Sequence, residues 1–204
     1  PYRERILRND KPACARISKK FGQEYWDGDR KYGYGGNYYD GRWAPGARDL
    51  IAHYGLTPSS SVLDIGCGKA FLLYELKKLL PGLTLRGLDI SDYARSHAPE
   101  EVRPFLDSGS AVSLPYPAKS FDLVLSINAL HNLYVYDLAK ALGEIERVKK
   151  RDSYLVVETY RTEEEKDNLF AWQLTCECFF TPDEWRWLYE QFGYTGDYSF
   201  IWCE

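Results

Sequence analysis

The run Ser61-Val62-Leu63-Asp64-Ile65-Gly66-Cys67-Gly68-Lys69-Ala70 constrains this chain more than any other stretch, because a short apolar run passes through an acid and two glycines directly into a helical pattern. Glycine lets the backbone turn sharply and approach a ligand, and the free N–H groups at the helix start point toward that ligand. Such a strand, turn and helix open a nucleotide pocket at the carboxyl end of the first strand of a doubly wound sheet. Asp64, Gly66, Cys67 and Gly68 are therefore expected to line a pocket, with Asp64 accepting hydrogen bonds from its ligand.

A dinucleotide site asks for glycine where this chain has Phe71, and a carboxylate at the turn repels a pyrophosphate. Asp64 instead suits a cationic or hydroxyl-bearing ligand, of which S-adenosylmethionine is one. A second acid, Asp89, ends the strand-like run 83–88 and lies 25 residues after Asp64. That is near the roughly 20-residue interval that brings an acid to ribose hydroxyls. Asp89 supports nucleoside binding without choosing between a nicotinamide and an adenosylmethionine cofactor.

Three segments together carry a resemblance: Val62-Leu63-Asp64-Ile65-Gly66-Cys67-Gly68, then Gly87-Leu88-Asp89-Ile90-Ser91, then Leu114-Pro115-Tyr116-Pro117 leading into Ser120-Phe121-Asp122-Leu123-Val124-Leu125-Ser126. In this order and spacing they resemble the class I S-adenosylmethionine-dependent methyltransferases over residues 45–160. The resemblance implies an α/β, Rossmann-like doubly wound, mostly parallel sheet with helices on both faces, and S-adenosyl-L-methionine as cofactor. It also implies cofactor contacts from Asp89 with Ile90, and adenine contacts near Ser110 and Ala111, where the family often has an acid. The family's third loop glycine is Ala70 here, which objects only if the backbone there needs a positive φ.

Size and charge agree with one catalytic domain. The 204 residues fit a single domain with a full core and leave little room for the second domain of a nicotinamide oxidoreductase. A net charge of −4 gives no footprint for a polyanion, so nucleic acid is not an expected partner. The five cysteines are odd in number and scattered, and Cys176-x-Cys178 lacks a second ligand pair, so free thiols and no metal are expected. No apolar run reaches the ~18 residues of a membrane helix, and the first residues do not resemble a signal peptide, which makes the expected location cytoplasmic. Methionine is absent, initiator included, which points to a chain beginning inside a longer product.

Helices and strands alternate as a parallel sheet requires. Pro45 and Gly55 bracket a first helix, residues 70–80 a second, and Thr181-Pro182-Asp183-Glu184 a capped start of a late one. Residues 121–127 read as a strand buried on both faces, 153–159 as the next, and 198–203 as the last. Leu138, Ala141, Leu142, Ile145 and Val148 recur at helical spacing. The domain reading is an aromatic N-terminal lid over 1–44 and a methyltransferase domain over 45–204, with an insertion at about 161–181.

The segment after the 121–127 strand matters most for chemistry, because function collects at the carboxyl ends of the strands. His131 is the candidate general base, with a helix-capping or structural role as the alternative, and Asn128 is assigned to the cofactor pocket wall. Residues 25–43 hold seven aromatics and five glycines, a composition suited to a lid. Tyr32 and Tyr34 are candidate cofactor contacts there, with core packing as the alternative. Arg30, Arg42, Tyr38 and Arg161 are candidates for binding an anionic acceptor, unless the cations are paired with Asp27, Asp29 and Asp40.

Methyltransferases acting on exocyclic base amines carry an Asn or Asp followed by Pro-Pro and an aromatic, which Asn128-Ala129-Leu130 lacks. The expected acceptor is a small molecule. The Tyr-Gly-rich start and the Trp185-Arg186-Trp187 helix resemble uncharacterised bacterial methyltransferases associated with surface-sugar biosynthesis, which implies O-methylation of a sugar or hydroxy acid. N- or C-methylation of a small metabolite, a non-catalytic cofactor-binding protein and a nicotinamide oxidoreductase are the alternatives. A homodimer is compatible with the sequence.

Overall fold

β1 (Ser61–Ile65) is apolar on both faces, and that two-sided burial sets the architecture. The computed structural model describes residues 9–203, in which one wholly parallel sheet runs in the order β3-β2-β1-β4-β5-β6. The other strands are β2 (Thr84–Asp89), β3 (Leu106–Ser108), β4 (Phe121–Ile127), β5 (Lys149–Thr159) and β6 (Asp197–Trp202). β1 pairs with β2 from Ser61↔Thr84 to Ile65↔Leu88, and on its other side with β4 from Val62↔Leu123 to Asp64↔Leu125. The strand order reverses between β1 and β4, and the crevice outside their carboxyl ends is where ligands bind in such sheets.

Successive strand residues point to opposite faces, so each central strand feeds two cores. On one face Leu63, Ile65, Val124, Leu155 and Val157 pack against Leu138, Leu142 and Ile145 of α6 (Val135–Val148) and Trp185 and Leu188 of α8 (Pro182–Gln191). On the other, Val62, Leu85, Leu123 and Leu125 pack against Ala47 and Leu50 of α3 (Ala44–Tyr54) and Leu72, Leu73 and Leu76 of α4 (Phe71–Leu79). The remaining helices are α1 (Lys11–Ser18), α2 (Gln23–Trp26), α5 (Asp92–Ser96) and α7 (Glu163–Trp172). No helix among the described residues is long and apolar enough to cross a membrane.

The local signals act as their chemistry predicts. α3 has proline in its first turn and ends on Gly55 in the left-handed region, φ 58°. Thr181 and Glu184 form a reciprocal capping box that starts α8. Two elements differ from the sequence expectation. β5 begins at Lys149, ahead of the expected 153, because Lys149, Lys150 and Arg151 are strand residues whose charges find partners: Lys149 pairs with Glu146 and Lys150 with Asp122. Inside the 161–181 insertion lies α7, capped by the Thr162 side chain and opened by three consecutive acids that favour a helix N-terminus.

The largest fully buried side chain is Trp185, whose indole packs against Phe180 and Tyr189 and donates from Nε1 to the Glu158 carbonyl at 3.3 Å. Trp185→Ala is expected to lower unfolding stability by about 3–5 kcal/mol in urea titration, the range for emptying a large aromatic site.

Candidate active site

The cleft is built on the turn after β1. Gly66 and Gly68 both have positive φ, 75° and 54°. A Cβ on Gly66 would overlap the Ala129 methyl, and one on Gly68 would stand 2.7 Å from the Trp26 ring, so glycine is required at both by conformation and by space. The Gly68 N–H donates to Asp89 Oδ2 and the Ser91 N–H to Asp89 Oδ1, each at 2.7 Å. Asp89 thereby clamps the glycine loop onto the end of β2. Ala70, where the family pattern has glycine, sits at φ 56°, and Asn128 after β4 at φ 58°. Strained non-glycine residues of this kind cluster at functional sites.

Three chambers lie at this end of the sheet, and Tyr34 and Asn128 line all of them. The inner one, about 160 Å³, is walled by Gly66, Asp89, Ile90, Ser110, Ala111 and Asn132. The mouth, about 560 Å³, is walled by Asp64, Cys67, Gly68, Arg30, Tyr38 and Arg42. A side chamber of about 80 Å³ is walled by Tyr25, Arg30, Tyr34, Glu158, Trp172 and Gln173. Glu144 and Arg147 of α6 steady the loop beyond the inner chamber: Glu144 accepts from the Leu114 N–H, and Arg147 donates to the Leu114 and Tyr116 carbonyls.

The N-terminal segment closes over the glycine loop. Trp26 lies on Gly68, stacks on Tyr34 at 5.2 Å, and donates from Nε1 to Phe21 O and Ser91 Oγ. Lys69, 5% exposed, donates to both Asp27 carboxylate oxygens at 2.7 Å and to the Asn37 carbonyl at 2.8 Å. The Tyr93 hydroxyl also donates to Asp27. A buried ammonium of the turn is thus paired with a carboxylate of the segment that covers it.

Most of the sequence-derived cofactor residues meet in this cleft: Asp64, Gly66, Cys67, Gly68, Asp89, Ile90, Ser110, Ala111, Asn128 and Tyr34 all line it. Others need correction. Tyr32 lines none of the three chambers; its carbonyl accepts from Ser18 and the Lys31 ammonium lies 4.9 Å from its ring centroid. Arg42 reaches the mouth but is paired with Asp40, and Arg161 lies outside, paired with Glu165 and over the Trp202 ring. Tyr38 is largely exposed at the mouth, and Arg30 lines two chambers with its guanidinium 4.4 Å over Trp172.

His131 does not stand where a base must stand. Its neighbours Leu130 and Asn132 line the inner chamber, whereas its own ring is 1% exposed on a short 3-10 turn. Burial pushes its pKa down to about 4, so it is a neutral imidazole, with Nε2 3.8 Å from Glu158 Oε2. The sequence reading missed Glu158 and Lys69. Glu158 had a readable signal: it is an acid at the carboxyl end of an apolar strand, as Asp64 and Asp89 are.

The walls fit an adenosylmethionine cofactor. The Asn128 and Asn132 Oδ1 atoms are buried on the inner chamber with no hydrogen-bond partner among the described residues, which leaves acceptors for amino or hydroxyl donors of a ligand. Burial and the nearby Asp89 raise the Asp64 carboxyl to about 7, so a cationic ligand would relieve a carboxylate that water does not reach.

Comparison with known proteins agrees with this geometry. Residues 63–157 match the family model described as a methyltransferase domain. The chain is 34% identical over 110 residues to the uncharacterized methyltransferase YcgJ of Bacillus subtilis, covering 50% of this chain and 42% of that protein. The crystal structure of YcgJ superposes with a TM-score of 0.58 at 20% identity, over 72% of this chain and 67% of that one. The rat protein named arginine-hydroxylase NDUFAF5, mitochondrial, is 36% identical over 95 residues, 46% of this chain and 27% of that protein. Residues 63–157 thus match a methyltransferase domain, and the fold around them is the one the YcgJ structure has. The chain spans between a quarter and a half of the length of the two curated relatives named here.

Asp64 gives a pH test that needs no ligand. Its folded-state pKa lies above the unfolded value, so the folded chain holds the proton more tightly and stability falls as pH rises from 3.8 to about 7. The full shift corresponds to a penalty on the order of 4 kcal/mol above pH 7. Asp64→Asn, neutral and of equal size, is expected to raise the melting temperature at pH 8 and leave it nearly unchanged at pH 4, read by thermal melts of the ligand-free protein.

Proposed function

We propose that this protein transfers a methyl group from S-adenosylmethionine to an oxygen of a small acceptor, a sugar or a hydroxy acid. The observation that carries this reading is the side chamber, which meets the cofactor cleft at Asn128 and Tyr34 and offers groups that pair with hydroxyls: Glu158, Gln173 and Thr175. Its flat walls, Tyr25, Tyr34 and Trp172, suit the C–H faces of a sugar ring. Arg30 at its edge supplies a cation for the carboxylate of a hydroxy acid. Methylation of a small amine is the second reading, favoured by the same carboxylate beside three aromatic rings.

The bound cofactor supplies an electrophilic methyl on a cationic sulfur. The chain's own groups supply the rest. The Gly66–Gly68 backbone allows close approach, Asp64 offers negative charge at the mouth, and the side chains of Asn128 and Asn132 accept hydrogen bonds in the inner chamber. Asp89, held between two backbone N–H groups, turns its remaining acceptor capacity to the ribose side. Trp26 and Tyr34 cover the turn and exclude water from it. In this reading residues 21–44 form a lid latched by the Asp27–Lys69 pair.

Calorimetric titration of the chain with S-adenosylmethionine, S-adenosylhomocysteine and NAD tests the cofactor assignment. Micromolar binding of both sulfur ligands, weakened at least tenfold in Asp89→Ala, is the expected result, and binding of NAD alone would overturn it. The lid has its own test. Lys69→Ala leaves Asp27 without its ammonium partner, and proteolysis within residues 28–44 is expected to become at least several-fold faster than in the unaltered chain; equal rates would remove the latch.

A further inference from the structure

Glu158 ends the apolar run Leu155-Val156-Val157 of β5, at the same edge of the sheet as Asp64 and Asp89, and its carboxyl group lines the side chamber. The side chain is 3% exposed. It accepts from Gln173 Nε2, and the side chains of Trp172 and Asn128 stand close by. A carboxylate has about four acceptor positions, so the bond from Gln173 leaves acceptor capacity for a ligand. Asn128 stands beside Glu158 and lines all three chambers, and its Oδ1 has no hydrogen-bond partner among the described residues.

The groups around Glu158 come from every element packed on it. His131 faces it from the turn after β4, Tyr25, Tyr34 and Arg30 from the N-terminal segment, Cys176 from the stretch after α7, and Cys203 from beyond β6. The neutral His131 ring does not line the chamber. Both tyrosine hydroxyls are held protonated by burial, and so are both thiols.

We propose that Glu158 is the general base of the methyl transfer, taking the proton from the acceptor's nucleophilic group inside the side chamber. The inference rests on the methyl-transfer reading above and does not depend on whether the acceptor atom is oxygen or nitrogen. For a hydroxyl acceptor, the O–H proton passes to a Glu158 carboxylate oxygen as the acceptor oxygen's electron pair forms the new O–C bond. The electron pair of the broken carbon–sulfur bond stays on sulfur, which becomes neutral, and the carboxyl group then releases its proton to water. Burial lifts the Glu158 carboxyl to about 7, where an ionised carboxylate is available at neutral pH and is basic enough to hold a proton in passing.

Two measurements test this. The first is infrared difference titration from pH 5 to 9 of the protein saturated with S-adenosylhomocysteine. In Asp64→Asn, which removes the other carboxyl raised to about 7, a protonated-carboxyl band that disappears near pH 7 is expected, and it is expected to be missing when Glu158→Gln is added to Asp64→Asn. If Glu158→Gln removes no such band, Glu158 does not titrate in the required range and the proposal falls.

The second is turnover with radiolabelled S-adenosylmethionine on methyl glycosides, 2-hydroxy acids and simple primary amines. For whichever compound is methylated, Glu158→Gln is expected to lose about 100-fold or more in kcat. Its affinity for S-adenosylhomocysteine is expected to stay within twofold, and kcat/KM of the unaltered chain to rise with pH to a plateau above 7. Turnover by Glu158→Gln within threefold of the unaltered chain overturns the proposal. Methylation of amines alone would remove the oxygen-acceptor reading while leaving the role of Glu158 to the same comparison. If no compound is methylated, the infrared result decides Glu158 by itself.

Discussion

The Asp89 carboxylate holds the site together. Its two oxygens take the N–H groups of Gly68 and Ser91, one from the turn after β1 and one from the turn after β2. A charged acceptor with two backbone donors is among the stronger local contacts a protein makes. Everything above it is referenced to that clamp. Gly68 carries the Trp26 ring, and the Ser91 hydroxyl both caps α5 and receives the Trp26 indole N–H. The N-terminal segment therefore seats on the same two residues that Asp89 fixes, and a shift in the glycine loop would move cofactor wall and cover together.

The sheet and its pocket were readable because their signals are local. Double-sided apolar runs give parallel strands, Pro45 with Gly55 gives a helix with defined ends, and the acid and glycines after β1 give the turn. The start of β5 was hidden, since Lys149 and Lys150 are neutralised by Glu146 and Asp122 from other elements. The roles of the charged candidates were hidden for the same reason. Whether Arg42 and Arg161 were free to bind an anion depended on partners as near in sequence as Asp40 and Glu165, yet composition does not say which charges pair. His131 was misplaced by a single turn of backbone: residues on either side of it reach the chamber, and it does not.

The site keeps acids where burial penalises their charge. Asp64 and Glu158 stand on different walls, and both are raised to about 7 by loss of water. Neither raised group is a compensated ion pair like Lys69 with Asp27, where an ammonium and a carboxylate lie 2.7 Å apart. A fold that needed only stability would have neutralised both acids with isosteric amides. Their presence at two strand ends, one facing the mouth and one facing the side chamber, fits a division of labour in which one wall meets positive charge and the other meets a proton.

The matched methyltransferase domain ends at residue 157, one position before Glu158. Inside the match lie the glycine turn, Asp89, Ser110 and Asn128, which line the cleft. Tyr25, Arg30, Tyr34, Glu158, Trp172, Gln173 and Thr175, which with Asn128 enclose most of the side chamber, lie outside it. The matched domain thus supplies the glycine-turn side of the cleft, while the side chamber is assembled largely from the segments on either side. Relatives with this domain bear names as different as methyltransferase and arginine-hydroxylase. On the function proposed above, acceptor recognition would fall to residues 21–43 and 158–175, and Glu158 is the first residue past the boundary of the match.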